Sequence, residues 1–140
     1  MSFSLITFPV SDVDQTPPSI IKKTGESVDK EIRCSHSIPS YQVILWYKQD
    51  KQKALKLLGY QNNVFANIEG DVKGKISFEG DGRKQSTLTV SNLTVDDSAV
   101  YFCAAISTKT LQKKRERETE QLHRFILLGK NGAASVNWPR

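Results

Sequence analysis

The sequence predicts an all-β fold, one antiparallel domain followed by a charged tail, and three observations carry that expectation. From Val13 to Cys103, short runs of β-branched and aromatic residues alternate with clusters of Gly, Pro, Asn, Asp and Ser, the texture of strands joined by turns. Within the runs, apolar residues recur at every second position, as in Leu88 and Val90 against Thr87 and Thr89, so a strand has one face for a core. And 140 residues at 38% hydrophobic content close one core of ordinary size and leave little for a second.

About eight or nine strands are expected, the clearest at residues 32–34, 43–49, 55–60, 75–78, 86–91 and 99–105. Between them, Thr24-Gly25-Glu26, Gly70-Asp71 and Gly80-Asp81-Gly82 supply glycines where the chain must turn. Lys30 falls on the inward phase of Val28, Ile32 and Cys34, which calls for a bulge or a later strand start. In the run 99–105, Tyr101 and Cys103 share one phase and Val100 and Phe102 the other, and both phases are apolar. The run 43–49 repeats this, with Ile44 and Trp46 on one face and Leu45, Tyr47 and Gln49 on the other. Two neighbouring strands with apolar residues to spare on the outside predict a surface that another chain covers.

Beyond Ala105 the texture changes to TKTLQKKRERETEQLHR, rich in helix formers, and the chain closes on GKNGAASVNWPR, a composition that predicts disorder. The expected divisions are residues 1–12, a truncated leader or a disordered segment; 13–105, the β domain; and 106–140, an atypical charged tail, helical or disordered. Much of the net charge of +5 resides in that tail, where Lys109, Lys113, Lys114, Arg115, Arg117 and Arg124 outnumber Glu116, Glu118 and Glu120. Because those glutamates follow it, Lys113-Lys114-Arg115 predicts a solvated segment and no nucleic-acid site. The longest apolar stretch near the C-terminus, residues 125–128, falls far short of the roughly 20 residues of a membrane helix, so no direct membrane insertion is expected. MSFSLITFPV is apolar but lacks a basic start and is broken by Pro9, so a complete secretory signal is not expected.

Catalysis has no visible machinery. His36 and His123 are the only histidines, no acidic or cysteine cluster has metal-ligand spacing, and neither a metal nor a cofactor is expected. The glycines at Gly80 read as a turn and not as a phosphate cradle. The 25% of charged residues and the mean hydropathy of −0.43 fit a soluble globular domain and not a disordered or membrane-spanning chain. Asn92-Leu93-Thr94 is an N-glycosylation sequon at a turn. The two cysteines allow one internal pairing or two free thiols, and the count alone does not choose.

Cys34 and Trp46 stand twelve residues apart, Cys103 lies 69 residues after Cys34, and DDSAVYFC at 96–103 places Tyr101 two residues before Cys103. With these, the chain resembles the immunoglobulin variable fold, an immunoglobulin-like V-set Greek-key β-sandwich. The resemblance implies a Cys34–Cys103 disulfide between the sheets, worth about 4 kcal/mol in the loop-entropy picture, and an oxidising compartment for it. It also implies Trp46 packed on that bridge with Leu88 in the core, Tyr101 in a tyrosine corner, and an ion pair between Lys75 and Asp97. The family's closing strand carries Phe-Gly-x-Gly, and nothing of that kind follows Cys103. The last strand is therefore expected to be missing or atypical, with an unpaired sheet edge in its place.

WYKQDKQKALKLLGY (46–60) and EGDGRKQSTLTVSNLTVDDSAVYFCAA (79–105) sharpen the resemblance to a T-cell receptor beta chain variable region, over residues 13–105. By that resemblance the domain pairs with a T-cell receptor alpha-like variable domain through Tyr47, Gln49, Leu55 and Phe102. It binds peptide presented by a major histocompatibility complex molecule (peptide-MHC) through three loops, at 36–42, at 61–67 and after Ala105. The loop residues put forward are Tyr41, Gln42, Asn62, Asn63 and Phe65, with Tyr41 and Phe65 as rigid aromatic anchors. The implied place is the extracellular side of the plasma membrane, as part of a receptor. Two alternatives stay open: a V-set innate or adhesion receptor domain, and an unrearranged germline segment product without independent function.

Overall fold

A computed structural model of the chain describes residues 2–5, as backbone, and 12–118. Its strands are β1 (Ser2–Leu5), β2 (Val13–Thr16), β3 (Ser19–Ile21), β4 (Val28–His36), β5 (Tyr41–Gln49), β6 (Leu55–Asn62), β7 (Phe65–Ile68), β8 (Ile76–Asp81), β9 (Gln85–Val90) and β10 (Val100–Ser107). A helix, α1, follows at residues 108–118. The strands form two sheets, ordered β3-β1-β10-β5-β6-β7 and β2-β4-β9-β8, which close as an immunoglobulin-like V-set sandwich.

The core between the sheets holds Val28, Ile32, Ile44, Trp46, Leu88, Val90, Tyr101 and the Cys34–Cys103 disulfide. Trp46 is the cross-strand partner of Cys103, and Leu88 pairs with Ile32 on one side and Phe78 on the other. The indole N–H of Trp46 donates to Ser86 Oγ at 3.0 Å, which satisfies the ring's one polar group inside the core.

Lys30 is resolved by the bulge. Pairing with β9 slips between Val28 and Ile32, Lys30 takes a φ of 57°, and its ammonium meets Glu79 at 3.1 Å on the surface. Gly80 belongs to β8, so the expected Gly80-Asp81-Gly82 turn lies further on, at residues 82–84.

The two ends of the domain also differ from expectation. β10 runs to Ser107, past Ala105, and α1 starts there because Ser107 Oγ accepts the Thr110 N–H at 3.2 Å, an N-cap. No strand follows β10 among the described residues. Its free edge is nonetheless not bare. At Ser2–Leu5 the segment expected to be a leader remnant or disordered forms β1, which lies parallel to β10 with Ser4 opposite Val100 and Leu5 opposite Tyr101. Beside it, the buried Gln15 reaches across from β2: its Nε2 donates to Tyr101 O at 2.8 Å and its Oε1 accepts the Cys103 N–H at 3.2 Å. The first half of that edge, Val100 to Cys103, is met in this way. The expected disorder of residues 129–140, and His123, lie outside the described residues.

Candidate functional site

The candidate loop residues gather at one end of the sandwich because three strand registers bring them there. Tyr41 faces Ser107, Val43 faces Asn62, and Asn62 faces Phe65. Gln42 joins the three segments directly. Its carbonyl accepts the Asn63 N–H at 3.0 Å, and its side-chain Oε1 accepts the Thr108 hydroxyl at 2.6 Å. Asn63 turns the β6–β7 hairpin with a φ of 51° and donates from Nδ2 to Asn62 Oδ1 at 3.2 Å. Phe65 is 74% exposed at the hairpin, and neighbouring Val64 is 59% exposed. Tyr41 is half-buried, its ring 6.5 Å from that of His36. Of the two aromatic candidates, Phe65 thus stands out into solvent and Tyr41 leans against its own loop.

Beneath these loops lies a floor that sequence reasoning did not find. The turn at residues 82–84 is wedged under them: the Gly82 N–H donates to Asn63 O at 2.8 Å, and a Cβ at Gly82 would stand 2.2 Å from Gln42 O and 2.3 Å from Gln61 O. Only glycine fits so close an approach to two backbones. His36 ties the first loop to the same turn. Its Nδ1 accepts the Ile38 N–H at 3.1 Å, so its Nε2 carries the proton and donates to Gly82 O at 2.7 Å. Gln61 is 1% exposed and donates to Gly80 O at 3.3 Å. The signal available in the sequence was a second glycine two residues after the first.

The four candidate pairing residues lie on the outer face of the six-stranded sheet. Tyr47 faces Phe102 across β5 and β10, and Gln49 faces Leu55 across β5 and β6. The rings of Tyr47 and Phe102 stack, with centroids 5.3 Å apart and planes 14° from parallel. Leu55 is 43% exposed, and Tyr47, Gln49 and Phe102 are half-buried. Burial pushes the Tyr47 phenol above its ordinary pKa, with smaller opposing influences from Lys114, which lowers it, and Glu118, which raises it.

That face continues along β5 through Leu45 and Val43. There it forms a second apolar cluster with Tyr60 and with Leu111 of α1, which is only 3% exposed. A one-residue slip between β5 and β6 makes both faces possible: Leu58 turns into the main core while Leu57 and Tyr60 stay with the outer cluster. Sequence reasoning found the outward aromatics but not Leu111.

At the opposite end, the framework residues form one network. The Lys75 ammonium meets Asp97 Oδ2 at 2.6 Å, Lys48 lies 3.9 Å from Oδ1, and the Thr94 N–H donates to Oδ2 at 2.8 Å. The Tyr101 hydroxyl donates to Asp97 O at 2.9 Å, the corner geometry, and burial, reinforced by the Asp97 charge, holds its phenol far above the ordinary tyrosine range. Asn92 is exposed in the turn after β9, with a φ of 46°. Among the described residues, no group of three or more His, Cys, Asp or Glu side chains is placed to hold a metal ion, and no helix is long and apolar enough to cross a membrane.

Comparison with known proteins gives this geometry a family context. Residues 15–122 match the model of the immunoglobulin V-set domain, a span that passes the expected boundary at Ala105. The chain is 34% identical over 93 residues to human T cell receptor beta variable 3-1, covering 66% of this chain and 79% of that protein. It is 34% identical over 95 residues to human T cell receptor beta variable 9, covering 68% and 81% respectively. Among solved structures it is similar, with a TM-score of 0.59 and 32% identity, to a chain reported under "Structural basis of T cell specificity and activation by the bacterial superantigen toxic shock syndrome toxin-1". That likeness covers 68% of this chain and 80% of the other.

Proposed function

This chain belongs to the immunoglobulin V-set family as a T-cell receptor beta variable region, an antigen-receptor domain, and on that premise we propose what it binds. It pairs through the face of Tyr47, Gln49, Leu55 and Phe102 with a T-cell receptor alpha-like variable domain. It reads peptide-MHC through the loop end that carries Tyr41, Gln42, Asn62, Asn63 and Phe65. Its place is the extracellular side of the plasma membrane, within a receptor, which agrees with the Cys34–Cys103 disulfide.

The observation that carries the reading is the convergence of the candidate loop segments on Gln42, with Phe65 exposed beside them. Exposed aromatic area on a hydrogen-bonded loop floor is suited to contacting a protein surface at low entropic cost. Joining the chain to a T-cell receptor alpha variable domain by a flexible linker tests the pairing, because the tether raises the local concentration to about the millimolar range. A compact pair should form, Tyr47→Asp should open it, and Phe65→Ala should leave it closed while weakening recognition by peptide-MHC. Tethered domains that stay independent across a panel of alpha domains would refute the pairing.

One observation favours a narrower reading of the same family. After β10 the chain enters α1 instead of a closing strand, which is what a variable segment not yet joined to its final strand would present. Asn92, exposed at its turn, is the proposed glycan site; a mass loss on treatment with a glycan-removing amidase, absent from Asn92→Gln, checks it.

A further inference from the structure

Helix α1 lies over the sheet face that pairing requires. It begins directly after β10 and turns back over the outer face, where its Leu111 is buried among Val43, Leu45 and Tyr60. Val43 and Leu45 share their face of β5 with Tyr47 and Gln49, so covered and uncovered halves belong to one continuous surface. At the near end of the helix, the Thr108 hydroxyl donates to Gln42 at 2.6 Å; further along, Lys114 pairs with Glu118, and both act on the Tyr47 phenol.

Leu111 is the only apolar residue of 108–118. Over 108–118, where Leu111 stands alone among polar and charged residues, little besides docking favours the helix in water, so the helicity of this stretch depends on Leu111 being seated. Docking, helix formation and coverage of Val43, Leu45 and Tyr60 are therefore one event, held largely by one side chain.

We propose that α1 is an intramolecular cap on the pairing face, which withholds Val43, Leu45 and Tyr60 from a second variable domain and must leave before pairing is complete. What the cap blocks rests on the pairing reading above; the cap itself does not. Two bodies cannot occupy one apolar surface, so each partner is taken at the expense of the other.

The full chain and its Leu111→Asp variant are compared by the Cα chemical shifts of 108–118, by the fluorescence of an apolar-surface dye, and by sedimentation with a free T-cell receptor alpha variable domain. The variant should lose the helical shifts, bind more dye, and associate about tenfold or more tightly than the unmodified chain. Leu111→Ala, which adds no charge, should move all three the same way by less, so a folding failure of the aspartate variant leaves a second measurement. Helical shifts and dye binding unchanged in both variants overturn the cap. Equal association of the unmodified chain and the variants overturns the blocking. Helix loss with no association, free or tethered, defeats the pairing reading and the blocking role with it, and leaves the cap as a fold element only.

Discussion

Gln15→Leu should destabilise the domain by about 2–4 kcal/mol, although the substitution keeps the side chain's bulk. Gln15 is 6% exposed, and its amide serves Tyr101 O at 2.8 Å and the Cys103 N–H at 3.2 Å. Leucine removes the donor to Tyr101 O and the acceptor of the Cys103 N–H, two buried hydrogen bonds at about 1–3 kcal/mol each; returned side-chain entropy and a gain in apolar contact offset about 1 kcal/mol of the sum. Urea unfolding with the disulfide intact, followed by circular dichroism, reads the change as a lower midpoint at unchanged slope. Gln15→Glu adds a sharper test of the geometry. At neutral pH its carboxylate still accepts from Cys103 but sets a second oxygen against Tyr101 O, whereas the protonated acid can donate to that carbonyl. The glutamate variant should therefore lose at least as much as the leucine variant at pH 7 and recover part of the loss, relative to the unmodified chain, toward pH 4. A leucine variant within about 0.5 kcal/mol of the unmodified chain, or a glutamate variant without that recovery, would refute the reasoning.

Three further outcomes are expected. Asp97→Ala removes the 2.6 Å pair with Lys75 and the acceptor of the Thr94 N–H, and should cost about 2–4 kcal/mol; Lys75→Met should cost about 1 kcal/mol because Lys48 remains near, and a double-mutant coupling below about 0.3 kcal/mol would count against the pair. Asp81, held near pKa 2 first by the Arg83 guanidinium and then by its backbone N–H, has a folded value below the unfolded one. Its contribution is present above about pH 4 and lost as pH falls through about 2, so its carboxyl carbon should titrate near 2 and move toward 4 in Arg83→Ala, whereas a midpoint near 4 in the unmodified chain contradicts the assignment. Gly82→Ala, whose methyl would stand 2.2 Å from Gln42 O, should cost about 1–3 kcal/mol and shift the amides of Gln42 and Asn63, and an unperturbed spectrum would show that the turn is not wedged there.

The parts of the fold that were legible in the sequence are those written into local pattern. Period-two alternation placed Leu88 and Val90 in the core, and the spacing of Tyr101 to Cys103 marked a strand whose corner hydroxyl reaches only four residues back, to Asp97. The Lys75–Asp97 contact was legible only through family resemblance, since 22 residues of chain separate its ends. Gln15 was not legible at all: its partners lie 86 and 88 residues away, and a glutamine in a short polar strand gives no sign that it is buried. Leu111 was hidden for a different reason. One leucine in a run of charges makes no amphipathic stripe, and its burial depends on a sheet face whose spare apolar residues were read as awaiting another chain. The strand β1 escaped because Ser2–Leu5 reads as an isolated apolar fragment until β10 presents an edge for it to lie beside.

The wedge of Gly82 beneath the loops bears on how such a surface can vary by inheritance. Because Gln42, Gln61 and Asn63 all rest on one glycine turn and on each other's backbones, a change in the length or path of one loop alters the support of its neighbours. Substitutions at outward positions such as Phe65 can accumulate singly, since its side chain stands mostly in solvent. Changes at the shared backbone positions would have to arrive together to be tolerated. The variable surface is thus divided into residues that can be exchanged one at a time and a scaffold whose alternatives are whole sets, so a library built by randomising each loop in isolation would sample the first and discard most of the second.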